Sequence, residues 1–341
     1  MTTASRAKWL TAILLIAMLG VVVVSLAVGS VQIPPDQVLW RCLAALKGQI
    51  TDDAVDRILF TTRLPRIILA AAVGSALAMA GLAAQTLFRN PLASPYIVGV
   101  SSGSAVGAVA AMLLISTTTA ITFTAVPAFS IVSGLLVTAI VFLLGRRGKN
   151  LGYGLLLAGI AIGALCSSVT AGALYLAGER LQNLVFWLMG GFWRANWHHA
   201  LLMVPVSACG LITLIMLAPA MNVALAGDRS AQDLGLNIKK LQKLLLIFIA
   251  LETALAVSLT GIIGFVGLII PHLLRLIIGA DHNRLVPATA IGGALLMIVA
   301  DTLARTLAAP AEIPVGILTA MVGAPVFLWL LQRRNLGRSV V

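Results

Sequence analysis

The sequence predicts an all-α, polytopic membrane protein of about ten transmembrane helices, and three observations carry that reading. Of its 341 residues 60% are hydrophobic and only 10% charged, with a mean hydropathy of +1.06, whereas a soluble domain has roughly 25% charged residues. The apolar runs are long and continuous, as helical spans require, rather than the short alternating segments of a barrel. The basic residues fall in short loops between these runs. The net charge of +12 therefore reflects topology and not a nucleic-acid surface.

Taken in order, Arg6 and Lys8 precede the first run, 9–29. Ala27-Val28-Gly29 resembles a signal-peptidase site. The run is longer than the roughly 7–15 residues of a signal core, and more spans follow, so a retained first helix is expected. Residues 30–62, with Pro34, Pro35, Asp36, Asp52, Asp53 and Asp56, read as an extracytoplasmic loop with a short amphipathic helix. Further spans are expected at 64–87, 97–116, 121–144, 151–177, 200–217, 241–260, 263–278, 285–304 and 315–331. The eighth is read as shortened by Pro271, and Trp187, Trp193 and Trp197 suit a membrane–water interface. Ten spans put both termini on one side. Fifteen of the 23 Lys and Arg residues lie there, which makes it the cytoplasmic side.

Residues 219–240, between the sixth and seventh spans, read as a knob of two short helices held against another protein. Asp228 is expected to cap the first helix, Gly235 to end it in the left-handed conformation, and Asn237 to cap the second. Ala231 and Leu234, three apart, would form an apolar bump on one face. At the other side, Arg63-Leu64-Pro65-Arg66 places two arginines around a proline where a span begins. Their planar forks suit either a partner's carboxylates or a snorkelling role at the interface.

Little else suggests chemistry. No P-loop occurs; Gly145-Arg-Arg-Gly148-Lys149-Asn150 has the wrong spacing. No H-E-x-x-H occurs, and Cys42, Cys166 and Cys209 form no spaced pair. Neither an enzyme site, a metal site nor a cofactor is indicated. The four histidines lie at span ends, where locally bonded imidazoles are ordinary. Glu252 is the one carboxylate near the centre of a span, where a charge costs ~3 kcal/mol or more. Its ordinary reading is a hydrogen-bonded or protonated group between helices; the rival is a proton-coupled secondary carrier. Asp301 and Arg305 can bridge at i,i+4. Gly74, Ala78 and Gly81, and again Gly261, Gly264 and Gly267, offer smooth faces for close helix packing.

Five ordered strings carry a family resemblance. They are Arg63-Leu-Pro-Arg66; Gly81 with Gln85-Thr-Leu-Phe-Arg89-Asn90-Pro91-Leu92-Ala93-Ser94-Pro95; Gly227-Asp228 with Ala231 and Leu234-Gly235; Gly264-Phe-Val-Gly-Leu-Ile-Ile-Pro271-His272 with Arg275; and Glu312-Ile-Pro-Val-Gly-Ile-Leu-Thr319 with Gly323-Ala-Pro325. From Arg63 onward the chain resembles the FecCD-type permeases, the membrane subunits of ABC importers for iron chelates, haem and cobalamin. The resemblance implies a type II importer permease, a single transmembrane domain over 1–341, multi-pass in the cell (inner) membrane with both termini cytoplasmic. It implies pairing with a second copy, two cytoplasmic ATPases that hydrolyse the ATP, and a substrate-binding protein on the other side. By the same resemblance, Gly227, Asp228, Ala231, Leu234 and Gly235 couple to the ATPases, and Arg63, Arg66 and Arg305 dock the binding protein. Asn90 and Leu92 belong to a cytoplasmic gate. A second gating loop, starting at Asn150, lacks the Ser/Thr found in some members. The implied cargo is a metal chelate, a ferric siderophore foremost, with cobalamin and haem as alternatives in the same class.

Overall fold

In a computed structural model, residues 3–29, 31–49, 51, 53–115, 119–147 and 151–336 are described. Asp52, Gly148, Lys149, Asn150 and Arg338 of the sequence reading lie outside them. Among the described residues all regular structure is helical. The helices are α1 (Thr3–Ala27), α2 (Pro35–Leu46), α3 (Ala54–Asp56), α4 (Leu64–Phe88), α5 (Val100–Leu114), α6 (Thr119–Gly145) and α7 (Leu151–Tyr175). There follow α8 (Leu181–Met189), α9 (Trp197–Ala224), α10 (Asp228–Asp233), α11 (Ile238–Thr260), α12 (Val266–Ile278), α13 (His282–Thr306) and α14 (Val315–Leu336). Seven helical stretches are long and apolar enough to cross a membrane, and three shorter apolar helices (in α5, α12 and α14) accompany them. The ten expected apolar segments are all present as helices.

The bundle is built around α4, which is buried along nearly its whole length and packs on α9, α11, α12 and α13. Its small residues make this possible. A Cβ added at Gly81 would strike the backbone of Gly267, and one at Gly74 the backbone of Gly293, so the helix axes approach as only glycine allows. This bears out the packing faces read around Gly74, Gly81 and Gly267. Gly264 has open space instead. A second group, α5, α6 and α7, packs mutually and joins the first largely through α11. The outward faces of α6, α7 and α9 carry large apolar residues such as Val132, Ile160 and Met216, the surface expected against lipid or a second membrane subunit.

Several boundaries differ from the sequence reading, each for a local reason. The loop expected to end at 62 contains the amphipathic α2, but helix resumes at Ala54 and runs to Phe88. A π-helical stretch, Arg57–Arg63, joins α3 to α4, and such widened turns accommodate missing or displaced backbone bonds, here beside Pro65 at the start of α4. α9 passes through Pro205 and Pro219 to Ala224, so Pro219 does not end it; membrane bundles tolerate proline in this way. The knob is therefore the end of α9, the short α10 and the start of α11. Pro271 lies inside α12; that helix is short because the chain leaves helix at Gly261 and re-enters only at Val266. The tryptophan-rich segment contains a further helix, α8.

Candidate functional site

Three places hold the residues singled out above: the knob end of the bundle, the opposite end, and a cavity near the latter. At the knob, Gly227, not Asp228, is the N-cap of α10. It has φ +101°, and no side chain caps the helix. A positive φ there suits glycine, and Asp228 takes the first helical turn, where its carboxylate meets the guanidinium of Arg89. Helix α10 closes as expected: Gly235 has φ +81°, and the N–H groups of Gly235 and Leu236 donate to Gln232 O (2.8 Å) and Ala231 O (2.9 Å). Asn237 accepts from Lys240 N at 3.0 Å and caps α11. The expected two-residue bump is corrected. Ala231 is 0% exposed and seats α10 on the core, whereas Leu234 is 70% exposed and projects alone.

Asn90 and Leu92 lie in the turn after α4. Arg89, at φ 48°, ends the helix; the Asn90 side chain then accepts from Leu92 N at 3.0 Å. Ser94 starts a 3₁₀ turn, Pro95–Val98, that leads into α5. Through Arg89 this turn and the knob become neighbours. A second link lies beneath. His282 is 0% exposed, with Nε2 3.0 Å from Thr86 Oγ1 and Nδ1 2.8 Å from Asn222 Oδ1. Asn222 in turn donates to Asp281 at 2.8 Å. The ends of α4, α9 and α13 are thus tied by buried polar groups. Sequence reading found the knob and the turn separately and missed Arg89, Thr86 and Asn222; opposite charges on Arg89 and Asp228 were the one available signal.

At the opposite end Arg63, Arg66 and Arg305 are all buried, at 4%, 7% and 8% exposure. Arg63 donates to the carbonyls of Leu26, Ala27 and Val31, which ties the end of α1 to the start of α4. Arg66 grips two carboxylates. Its Nε and Nη2 donate to Asp301 (2.8–3.1 Å), and its Nη1 and Nη2 to Glu312 (both 2.9 Å). Arg305 donates to the Ser25 carbonyl and hydroxyl at 2.9 and 2.8 Å, with Nε 3.4 Å from Asp301. Asp301 is thus no exposed i,i+4 bridge; its main partner lies 235 positions away in sequence. The three arginines face inward in this structure and do not form a surface patch.

Glu252 is buried at mid-helix with its carboxylate against Gly210 of α9. Among the described residues its Oε2 has no hydrogen-bond partner, and no group of His, Cys, Asp and Glu could hold a metal ion.

The cavity occupies about 720 Å³ between the end of α5, α8, the turn at Trp193–Arg194 and the loop at 311–312. Its walls include Arg180, Gln182, Asn183, Phe186, Trp193 and Arg194. Arg180 Nη1 donates to the carbonyls of Met112 (3.0 Å) and Leu113 (2.7 Å) at the end of α5. Phe186 and Trp193 meet edge to face, with centroids 5.9 Å apart. Nothing in the sequence reading marked this cavity beyond its tryptophans.

A bundle of ten apolar helices with a capped knob at one end and a charged, pinned opposite end defines a polytopic membrane transport subunit. Residues 14–333 match the sequence model of the FecCD transport family, and the chain belongs to that family. It is 41% identical over 334 residues to the hemin transport system permease protein HmuU of Yersinia pestis, covering 96% of this chain and 97% of that one. It is 43% identical over 275 residues to the cobalamin import system permease protein BtuC of Halobacterium salinarum, covering 81% and 73%. It is 38% identical over 338 residues to the Fe(3+)-citrate import system permease protein YfmE of Bacillus subtilis, covering 97% of each. A solved structure described as an inward-facing conformation of an ABC transporter of metal-chelate type superposes with TM-score 0.83 at 33% identity, covering 96% of this chain and 99% of that one.

Proposed function

We propose that this chain is the membrane permease of an ATP-driven importer that carries a metal chelate, ferric siderophores foremost, with haem and cobalamin as cargoes of the same class. The observation that carries this reading is the family match over 14–333 together with near-complete structural likeness to a transporter of metal-chelate type. Two copies would enclose the path in the cell (inner) membrane, with both termini and the knob in the cytoplasm, as the distribution of basic residues supports. One ATPase would seat on each knob, around exposed Leu234 and the helix set by Gly227, Asp228, Ala231 and Gly235. Its closure would move the knob as a lever, and Arg89–Asp228 would pass that motion to the gate turn at Asn90 and Leu92. The binding protein would sit on the opposite end. Arg63, Arg66 and Arg305 shape that end from within; docking on them would require a partner's carboxylates to take over bonds now made internally.

The test is reconstitution in vesicles with and without the cognate ATPase and binding protein, offering haemin, cobalamin and ferric citrate. ATP-dependent uptake of one of them that needs the ATPase is expected. Uptake by the chain alone, driven by a proton gradient and lost in Glu252→Gln, would replace this reading with a secondary carrier.

A further inference from the structure

A groove of about 230 Å³ opens between α6 and α11, close to the knob. Its walls are two helical stripes, 135, 138, 139 and 142 on α6 and 243, 246, 247, 250 and 251 on α11. Each is spaced so that it lies on one face of its helix. Ala139, Ile247 and Leu251 are exposed, so the groove faces out of the bundle. Thr138 Oγ1 donates to Gly134 O at 2.9 Å, which satisfies the one hydroxyl internally. Apart from Lys243 the walls are therefore apolar. The stripes run for roughly 10–12 Å at 1.5 Å per residue, and the volume falls below the ~300–1,000 Å³ of small-molecule sites. Such a shape suits one hydrocarbon chain.

Both stripes run into positive charge at the same end. On α6 the next position after Phe142 is Arg146, whose N–H still donates to Phe142 O at 3.0 Å, so helical geometry carries it into line. Arg147 follows. On α11 Lys239 and Lys240 lie one turn before Lys243. All five are exposed, and among the described residues none forms an ion pair with a carboxylate. Topology accounts for basic residues on the cytoplasmic side, but not for their placement at the head of these two stripes. Helix electrostatics opposes it. The first turn of α11 has no acidic residue, and its lysines sit at the positive end of the helix dipole, where an anion is favoured.

We infer that this groove binds an anionic phospholipid of the cytoplasmic leaflet, one acyl chain lying between α6 and α11 and the phosphate held by Lys243 and Arg146. Lys239, Lys240 and Arg147 surround that phosphate. Basic pockets between membrane helices on the cytoplasmic side take anionic head groups, and the apolar channel beneath this one selects a lipid over a soluble anion. A second copy of the chain is a poor occupant, because it brings its own net charge of +12 to a face that already holds five cations. The site lies where α6 packs on α11, so the bound lipid joins the group of α5, α6 and α7 to the helix that leaves the knob. It is independent of the cargo.

The experiment is photocrosslinking of the full-length chain in lipid nanodiscs. The probes are phosphatidylglycerol and phosphatidylcholine with the same diazirine on the same acyl chain, and the labelled residues are mapped by mass spectrometry. Phosphatidylglycerol is expected to label 135–142 and 243–251 at least about tenfold more than phosphatidylcholine, as two cations at one head group imply. The outward face of α9 around Met216 should take up both alike. Lys243→Gln and Arg146→Gln should each cut the phosphatidylglycerol excess about fivefold, the effect of one cation near a head group. Ala139→Phe, which fills the groove from its open side, should lower labelling by both lipids, and excess inorganic phosphate should displace neither. Equal labelling by the two lipids in wild type overturns the inference whether or not any variant folds, as does the same excess on α9. Unchanged labelling in the folded Gln variants overturns it too, and displacement by phosphate overturns the lipid assignment. Absence of label from both stripes, the result of a second copy seated there, does the same. None of these results alters ATP-dependent uptake, so the permease reading is tested apart from this site.

Discussion

Replacing Arg66 with Met should cost the bundle about 3–5 kcal/mol, the range for leaving a buried carboxylate without its partner. The substitution keeps an unbranched apolar stem, ends short of the guanidinium and removes five hydrogen bonds, three to Asp301 and two to Glu312. The two acids differ in their alternatives. Asp301 is 1% exposed and retains only the longer contact with Arg305 at 3.4 Å, so its charge stays stranded. Glu312 is 39% exposed and turns to water, so Glu312→Gln should cost about 1 kcal/mol or less. The double variant Arg66→Met, Asp301→Leu removes the stranded charge and should recover much of the single loss, since desolvation made the pair expensive to bury. Equilibrium unfolding in mixed micelles gives the order: Arg66→Met least stable, the double variant intermediate, Glu312→Gln near wild type. Arg66→Met within 1 kcal/mol of wild type, or a double variant worse than the sum of its parts, refutes the internal-clamp reasoning. The same arithmetic bears on docking. Charge reversal at Arg66 would damage the far end of the bundle before any partner was offered, so a docking measurement on that variant needs proof of fold first.

Three further predictions concern other parts of the bundle. Arg89→Asp and Asp228→Arg should each raise the ATP hydrolysed per chelate imported while changing stability by about 1 kcal/mol or less, because the pair is 42% and 47% exposed; the double swap should restore coupling, and failure to do so removes the link. Gly81→Leu should abolish recovery of folded protein, because its side chain would strike the Gly267 backbone. At open Gly264 an alanine should be tolerated within about 1 kcal/mol; equal effects at both sites would contradict the close-approach argument. In the loop, Asp53 is held below the ordinary aspartate range by the N–H of Asp56 and then by Arg41. Its contribution is therefore present above the unfolded aspartate pKa and lost as pH falls through the lowered folded value. Hydrogen-exchange protection factors around 53–56, normalised to the intrinsic rate at each pH, should fall only at such acid pH, and a loss of protection near neutrality would contradict this.

The bundle was legible because membrane spans follow from composition and length, and because Gly74, Gly81 and Gly267 mark close approaches that no other residue permits. The closure of α10 was legible for the same local reason: Gly235 and Asn237 act within a few residues of themselves. What sequence could not supply was partnership at a distance. Asp228 looks like a cap beside its own helix, yet it is drawn to Arg89, 139 positions earlier, and the capping position falls to Gly227. Arg63, Arg66 and Arg305 look like interfacial charges at span ends. Only the fold shows that Asp301, Ser25 and the carbonyls at the end of α1 lie where these guanidiniums must bond. The end of α9 also lay beyond sequence reading: the span expected over 200–217 continues through Pro219 to Ala224, as neighbouring helices in a membrane bundle allow.

These attachments converge on one helix. At its knob end α4 holds Asp228 through Arg89, and holds α9 and α13 through Thr86, His282 and Asn222. In the middle its glycines lie against α12 and α13, and at the far end Arg66 fixes Asp301 of α13. These contacts pack α4, α12 and α13 into one group, and the knob joins it through the exposed Arg89–Asp228 pair and the half-buried Asn222. The group of α5, α6 and α7 meets the rest of the bundle along α11. At one end of α11 lies the non-helical stretch at 261–265, with Phe265 held at φ +67°, a conformation a bulky residue rarely adopts without surrounding constraint. At its other end lies the knob. The turn at Asn90 and Leu92, which leads from α4 into α5, spans the junction of the two groups.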